Sequence, residues 1–237
     1  MIRSDLPGAS VAFSTRAGGV SEGHYESLNL GILTDDDPER VRENRARLAK
    51  AAGVDPGRAA MGWQVHGTEV REWVEAPRDG AFAAPGAELP RVDGHITSRP
   101  GVALLVLVAD CLPVALAGGG RVAMLHCGWR GLAGGILERA IERFDETPAA
   151  AVGPGIGACC YEVGEEVLAA FAGLDGVADG RMLDLREIAR RKLHDAGVSR
   201  IEQVDLCTSC REDLFFSHRR DRGVTGRQAG LAWIPPT

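Results

Sequence analysis

One stretch constrains this chain more than any other: residues 102–131, VALLVLVADCLPVALAGGGRVAMLHCGWRG. Val102 to Ala109 is an apolar run of strand length, rich in Val and Leu and without alternation, as expected of a strand buried on both faces. It ends abruptly in Asp110-Cys111-Leu112-Pro113, so ionisable groups stand at the end of a buried strand, where open α/β sheets place ligands. Pro113 restricts Leu112 and is expected to stop the ladder. After a Gly118-Gly119-Gly120 turn, Arg121 to Leu125 reads as a second apolar strand delivering His126-Cys127-Gly128-Trp129-Arg130-Gly131 into a strand-to-helix turn. Cys111 and His126 are thus expected to end adjacent strands. A thiolate and an imidazole so placed suit Zn²⁺ or Cu²⁺, and equally a Cys–His nucleophile–base pair. Alone, each is best read as a buried structural side chain; together, flanked by Asp110 and Arg130, they point to chemistry.

The rest of the chain supplies partners. Met61 to Val74 reads as strand, Gly67 turn, strand, and a regular strand would put Gln64 and His66 on one face. His66 then completes a His₂Cys set with Cys111 and His126. Three protein ligands with one open position mark a catalytic zinc site. Ser14-Thr15-Arg16 before Gly18-Gly19 could hold an anion with hydroxyls, amides and a guanidinium, although a surface turn explains it as well. Asn29, within Ser27–Gly31, is placed toward the same cleft. Arg130 at the helix start and Arg16 are candidate phosphate contacts, Asn29 and Gln64 hydrogen-bonding candidates, and Asp110 a general base or a carboxylate behind the ligands. Asp93, in Arg91–Thr97, is either such a carboxylate or a turn residue.

Helices are expected from the Asp37 cap and Pro38 to Gly53, over Leu132–Phe144, Glu165–Phe171 and Leu183–Ala196. Strands are expected at Ala9–Thr15, Ala149–Val152 and Ile201–Leu206, and Arg78 to Pro90 reads as a loop. The charges of the first helix read as a solvated face, with Arg45 singled out. Residues 153–164 carry three glycines without the G-x-G-x-x-G pattern that opens a dinucleotide-binding helix. The tail, with Arg219, Arg220 and Arg227, reads as a capping segment with solvated arginines.

With 237 residues, 45% of them apolar and 25% charged, the chain can bury a core as one soluble domain. Its net charge of −6 argues against a nucleic-acid or anionic-membrane surface. No apolar run reaches bilayer length and no export signal follows Met1, so the cytoplasm is the expected compartment and its six cysteines are expected to be reduced. Cys207-Thr-Ser-Cys210 and Cys159-Cys160 could together form a four-thiolate zinc site or a redox centre, although adjacent cysteines chelate one tetrahedral ion poorly.

These motifs together resemble the DUF152 family, also called the YfiH or laccase-domain family. The resemblance rests on STRAGGVSEG, SLNLG, DDDPERVRENRARL, WQVHG, ADCLPV, HCGWRGL, GPGIGACCYEVG, CTSC, FFSHRRD and TGR, in family order from residue 14 to residue 227. It implies a single α/β (α+β) domain, a layered sandwich of mixed β-sheets flanked by helices. It also implies a metal site of His66, Cys111 and His126, the trio that the spacing reached by itself. Cys127 stands where the family usually has Ala, and the added thiol could tighten metal binding or sensitise the site to oxidation. Family members have been described as purine nucleoside phosphorylases with adenosine deaminase activity and as multicopper polyphenol oxidases.

The first description implies a zinc enzyme, expected as a monomer, that takes a purine nucleoside (adenosine, inosine or 5′-methylthioadenosine) and phosphate. The chain lacks the H-x-E…P-C-x-x-C pattern of cytidine-type deaminases, so any deamination uses another geometry. The second sits poorly with one ligand trio and six histidines, which cannot build a trinuclear centre plus a blue-copper site; adventitious Cu²⁺ at the same ligands would account for it. A third reading makes Cys111 the nucleophile and His126 the base of an amidase acting on peptidoglycan precursors. A metal-stabilised interaction protein is the non-enzymatic alternative.

Overall fold

The computed structural model describes residues 1–77, 80–83 and 89–236. In chain order the strands are β1 (Ile2–Leu6), β2 (Ala9–Phe13), β3 (Ala59–Ala60), β4 (Val70–Glu72), β5 (Gly94–Thr97), β6 (Ala103–Val108), β7 (Leu112–Gly118), β8 (Arg121–Cys127), β9 (Ala149–Val152), β10 (Ala178–Asp179), β11 (Met182–Leu183), β12 (Ile201–Gln203) and β13 (Gln228–Trp233). The helices are α1 (Pro38–Ala52), α2 (Trp129–Gly134), α3 (Ile136–Ile141), α4 (Glu165–Ala170) and α5 (Leu185–Asp195). Five strands form one mixed sheet in the order β1-β2-β13-β6-β3, and six form another in the order β12-β9-β7-β8-β5-β4; β10 and β11 make a small hairpin.

Burial sorts these elements into layers. Val11, Phe13, Leu104 and Val106 of the first sheet meet Ala115, Ala117, Val122 and Met124 of the second in one core. The other face of the six-stranded sheet packs Val114, Leu116 and Leu125 against Leu132, Ile136, Leu137, Ile188 and Leu193 of α2, α3 and α5. The other face of the five-stranded sheet packs Leu105 and Leu231 against Leu48, Ala49 and Ala52 of α1. This is the layered sandwich expected from the resemblance. Strands buried on both faces account for the unbroken apolar run of β6.

Several expected elements hold. The Asp37 carboxylate caps α1 by accepting from Glu39 N at 2.8 Å, and Gly53 ends it at φ 75°. Gly119 and Gly120, at φ 55° and 73°, make the two-residue turn between β7 and β8, where Gly118 faces Arg121.

Others need correction. Pro113 does not stop the ladder; it lies second in β7, opposite His126. Near a strand's start its missing donor costs little, and its carbonyl still accepts from Gly153 N at 2.8 Å. Gly153 and Gly230 leave room for the ring: a Cβ on either would lie within 2.7 Å of it. Cys111 does not end a strand beside that of His126. It sits where the chain crosses from β6 in one sheet to β7 in the other, just ahead of the β7–β8 pair. Residues 61–69 form no regular strand, and His66 has a left-handed φ of 59°, so Gln64 and His66 are not brought together by strand alternation. The expected helix over 132–144 begins earlier, at Trp129, and breaks at Gly135, whose φ of 88° ends α2 and starts α3. Strand β12 is shorter than expected, and α5 starts at Leu185 behind the cap of Asp184.

Arg45 is buried, not solvated. Its guanidinium donates to the carbonyls of Leu30, Ala81 and Phe82 and lies 5.0 Å from the Phe82 ring centroid. The segment read as a cap, Phe215 to Gln228, leads into β13, a strand not expected from the sequence, which runs between β2 and β6 in the middle of its sheet. Of the expected loop over 78–90, residues 78–79 and 84–88 lie outside the described residues. Among the described residues no helix is long and apolar enough to cross a membrane.

Candidate metal centre

His66, Cys111 and His126 converge. One ring nitrogen from each histidine and Cys111 Sγ all lie within 4.8 Å of one another, and the two imidazole centroids are 4.8 Å apart at 66°. They come from the irregular 61–69 segment, the sheet crossover and the end of β8. Gly128 is part of the fit: a Cβ there would lie 3.0 Å from both Cys111 Sγ and His66 Cδ2.

Asp93, just before β5, organises the trio. Its fully buried carboxylate accepts from the backbone N–H groups of Val65, His66 and Gly67 at 3.1, 2.9 and 2.7 Å, fixing the left-handed loop that presents His66. Asp93 Oδ1 also lies 2.8 Å from His126 Nδ1, which leaves His126 Nε2 for the centre. Burial alone would raise the Asp93 pKa, but the hydrogen bonds from His126 and Gly67 outweigh it and hold the group below the usual carboxylate range.

Burial likewise favours a neutral thiol at Cys111, yet the His126 imidazole, with help from His66, brings it down to about 6. His126 rises to about 9 against its own burial, because the Cys111 thiolate and Asp93 stabilise its charged form. The ligand-free centre therefore favours a thiolate–imidazolium pair. A thiolate and two imidazoles within one ion's reach form a donor set that fits Zn²⁺, and equally Cu²⁺.

Cys127 does not join the centre. It is fully buried in the core on the helix-covered face of the six-stranded sheet, and burial, reinforced by the Cys111 charge, pushes its thiol up.

The trio opens on a cavity of about 450 Å³ lined also by Met61, Trp63, Gln64, Asp110, Trp129, Arg130, Tyr161, His218, Arg219 and Arg227. Gln64 lies in this wall, with its amide exchanging two hydrogen bonds with the Leu107 backbone at 2.7 and 2.8 Å. Arg130 stacks over Trp129 at 4.3 Å, and among the described residues none of its donors meets a protein acceptor. Asp110, at φ 89°, faces the cavity but is already engaged. Oδ1 accepts from Thr208 Oγ1 at 2.6 Å and Oδ2 from Arg219 N at 2.7 Å.

Arg16 and Asn29 do not line the cavity. The Arg16 guanidinium donates to the Glu26 and Glu212 carbonyls and covers the Phe216 ring. Asn29 is fully buried. It bonds Thr34, Asp36, Gly31 N and Arg227 N, and so holds two cavity walls in place from behind.

Arg219 is exposed, as read from sequence, but also lines the cavity, and Arg227, read as solvated, is half-buried in the cavity wall. Their proximity in the chain to Phe215 and Phe216, both fully buried, was the available signal that this tail packs inward. Trp129 and Tyr161, which sit inside the HCGWRG and CCYEVG motifs, were also missed as cavity residues.

This layered sandwich of two mixed sheets flanked by helices is a laccase-domain architecture. The family model described as multi-copper polyphenol oxidoreductase laccase matches residues 10–235, and the chain belongs to that family. It is 39% identical over 240 residues to purine nucleoside phosphorylase YfiH of Escherichia coli, covering 96% of this chain and 94% of that protein. It is 38% identical to purine nucleoside phosphorylase YlmD of Geobacillus stearothermophilus, covering 96% and 90%. The crystal structure of YlmD from Geobacillus stearothermophilus superposes with a TM-score of 0.90 at 36% identity, over 97% of this chain and 93% of that one. That of Neisseria meningitidis NMB0706, a DUF152 protein, gives 0.85 at 36%, over 99% of each.

Proposed function

We propose that this chain is a zinc-dependent purine nucleoside enzyme, cleaving adenosine, inosine or 5′-methylthioadenosine with phosphate and also deaminating adenosine. The observation that carries the reading is the His66–Cys111–His126 trio facing a cavity whose rim holds Arg130, Arg219 and Arg227. Curated relatives named purine nucleoside phosphorylase support it.

His66, Cys111 and His126 hold the metal, which when bound supplies Lewis-acid polarisation for both reactions. In phosphorolysis a phosphate oxygen bonds to ribose C1′ as the bond from C1′ to the purine nitrogen breaks, and the departing base takes up a proton. Arg130 and Arg227 present guanidinium donors to the phosphate, a geometry matched to bidentate oxyanion contact. Trp63, Trp129 and Tyr161 offer ring faces for the purine and exclude water beside it. Tyr161, pushed up to about 12 chiefly by burial and then by the Cys111 charge, keeps its hydroxyl proton at neutral pH and donates from it. Asp93 holds the tautomer and direction of His126. Asp110, with both oxygens already accepting, acts by positioning Thr208 and Arg219 rather than as the base.

The test is phosphate-dependent release of adenine or hypoxanthine from a nucleoside panel, with Cys111→Ala as control. Turnover by the wild type, lost in the variant and on chelation and restored by zinc, is the expected result. The reading fails if turnover survives chelation. In that case the Cys111–His126–Asp93 arrangement, already a thiolate–imidazolium–carboxylate chain, favours the amidase reading.

A further inference from the structure

A second sulfur-rich cluster lies away from the cavity floor. The Sγ atoms of Cys159, Cys160, Cys207 and Cys210 all lie within 4.8 Å of one another. Cys210 Sγ stands 3.5 Å from Cys159 Sγ and 3.4 Å from Cys160 Sγ. In a tetrahedral Zn–thiolate site with bonds of ~2.3 Å the sulfurs are ~3.8 Å apart, so these two separations need to open by only a few tenths of an ångström and the others to close by about 1 Å at most. No disulfide joins them; all four are free thiols.

We infer that these four cysteines form a closed, structural zinc site, separate from the His66–Cys111–His126 centre.

Three features favour an ion over four loose thiols. First, the backbone is arranged as in a metal knuckle. Gly157 N donates to Cys207 Sγ at 3.2 Å, an outer hydrogen bond of the kind that steadies a ligating thiolate. Second, Gly157 has no room for a side chain. A Cβ there would lie 3.2 Å from Cys159 Sγ and 2.7 Å from an Arg186 nitrogen, so the glycine lets the 157–161 turn close on the C-x-x-C loop. That turn swings both members of the Cys159-Cys160 pair toward one point, which removes the objection to adjacent cysteines. Third, one Zn²⁺ displacing four thiol protons leaves a net charge of −2, and the Arg186 guanidinium, paired with Asp205 through Nη1 at 2.5 Å, keeps Nη2 beside Gly157 and that charge.

The site would stitch two segments joined otherwise, among the described residues, by the pairing of Gly155 with Cys207 and Thr208 and by the bond from Gly157 N to Cys207 Sγ. The 157–161 turn carries Tyr161 to the cavity wall, and the 207–210 loop carries Thr208, which bonds Asp110. The bridges Gly155–Cys207 and Thr208 N to Gly155 O bring the loops together at one end only. Four thiolates with no open position suit this bracing role rather than catalysis.

The experiment isolates the site by using the full chain carrying Cys111→Ala and His126→Ala, purified under reducing conditions. Elemental analysis should find about one zinc per chain in that background. Cobalt substitution should give the sulfur-to-metal charge-transfer band and the intense visible bands of a tetrahedral tetrathiolate. Adding Cys210→Ser, at an exposed position, should abolish both signals; Cys159→Ser serves as the second variant if the first does not fold. The inference is overturned if the double variant binds no zinc even when zinc is supplied, or if Cys210→Ser leaves the bound metal unchanged. Mass analysis showing a Cys210 disulfide in freshly isolated protein, with no metal, would equally overturn it in favour of a redox pair. The outcome is independent of nucleoside turnover, so the two proposals can fail separately.

Discussion

Replacing Asp93 by Asn tests the organisation of the metal centre most directly. The carboxylate accepts four hydrogen bonds, two at each oxygen: His66 N and His126 Nδ1 at Oδ1, Val65 N and Gly67 N at Oδ2. An amide has one acceptor oxygen, so in either orientation its NH₂ faces two groups that were donating. Two charge-assisted bonds lost at ~1.5–3 kcal/mol each give ~3–6 kcal/mol. Val65 and His66 are exposed enough for water to take over part of the loss, which reduces the expected destabilisation to about 2–4 kcal/mol. Losing the carboxylate behind His126 should also weaken metal binding by about 10–100-fold. Urea unfolding of the metal-free proteins measures the first quantity and competition with a chromophoric chelator the second. The stability gap depends on pH with a defined sign. Because the folded carboxyl titrates below its unfolded value of ~3.9, the gap is full above that value and closes as pH falls through the folded one. An Asn variant that unfolds more easily yet binds metal as tightly as the wild type would refute the idea that Asp93 aims His126.

Four further outcomes are expected. In the metal-free protein Cys111 should alkylate with a midpoint near pH 6 while Cys127 stays inert; the Cys111 thiolate's stabilising contribution is full above the unfolded thiol value of ~8.5 and is lost as pH falls through about 6. Gly128→Ala should leave the fold intact but weaken metal binding by about tenfold, read by the same chelator competition, because its methyl crowds Cys111 and His66. Arg130→Ala should raise KM for phosphate with little change in Tm, since its guanidinium bonds no protein group among the described residues. Arg45→Leu should cost about 2–4 kcal/mol in urea unfolding, because three carbonyls lose their donor.

Much of this molecule could be read before its coordinates, and the failures have physical causes. Helix α1 was legible end to end because its signals are local: an Asp cap, a proline at the first turn and a glycine stop. The trio was legible because Cys111 and His126 flank one hairpin and His66 adds a third donor suited to the same ion. Strand β13 was missed because it takes its meaning from partners far along the chain: it pairs with β2 and β6, more than 100 residues away; β1, which pairs with the adjacent β2, was missed because its five residues alternate with the exposed Arg3 and Asp5. The same blindness affected charge. Arg16 looked like an anion ligand and Arg227 like a solvated surface group, yet three-dimensional neighbours put the first on carbonyls and the second in the cavity. The positive φ values at His66 and Asp110 left no mark in the sequence, since neither is glycine. Asp93 carried an ambiguous signal, and only geometry shows it serving both histidines.

The placement of β13 bears on how the enzyme is made. A ribosome delivers β1, β2, β3 and β6 long before residues 228–233, so the five-stranded sheet waits as two separate pieces for its middle strip. Arg219 and Arg227 arrive in the same late instalment. Synthesis thus yields a nascent chain with His66, Cys111 and His126 already translated but no finished pocket around them, and the cavity closes only when the last strand slots home.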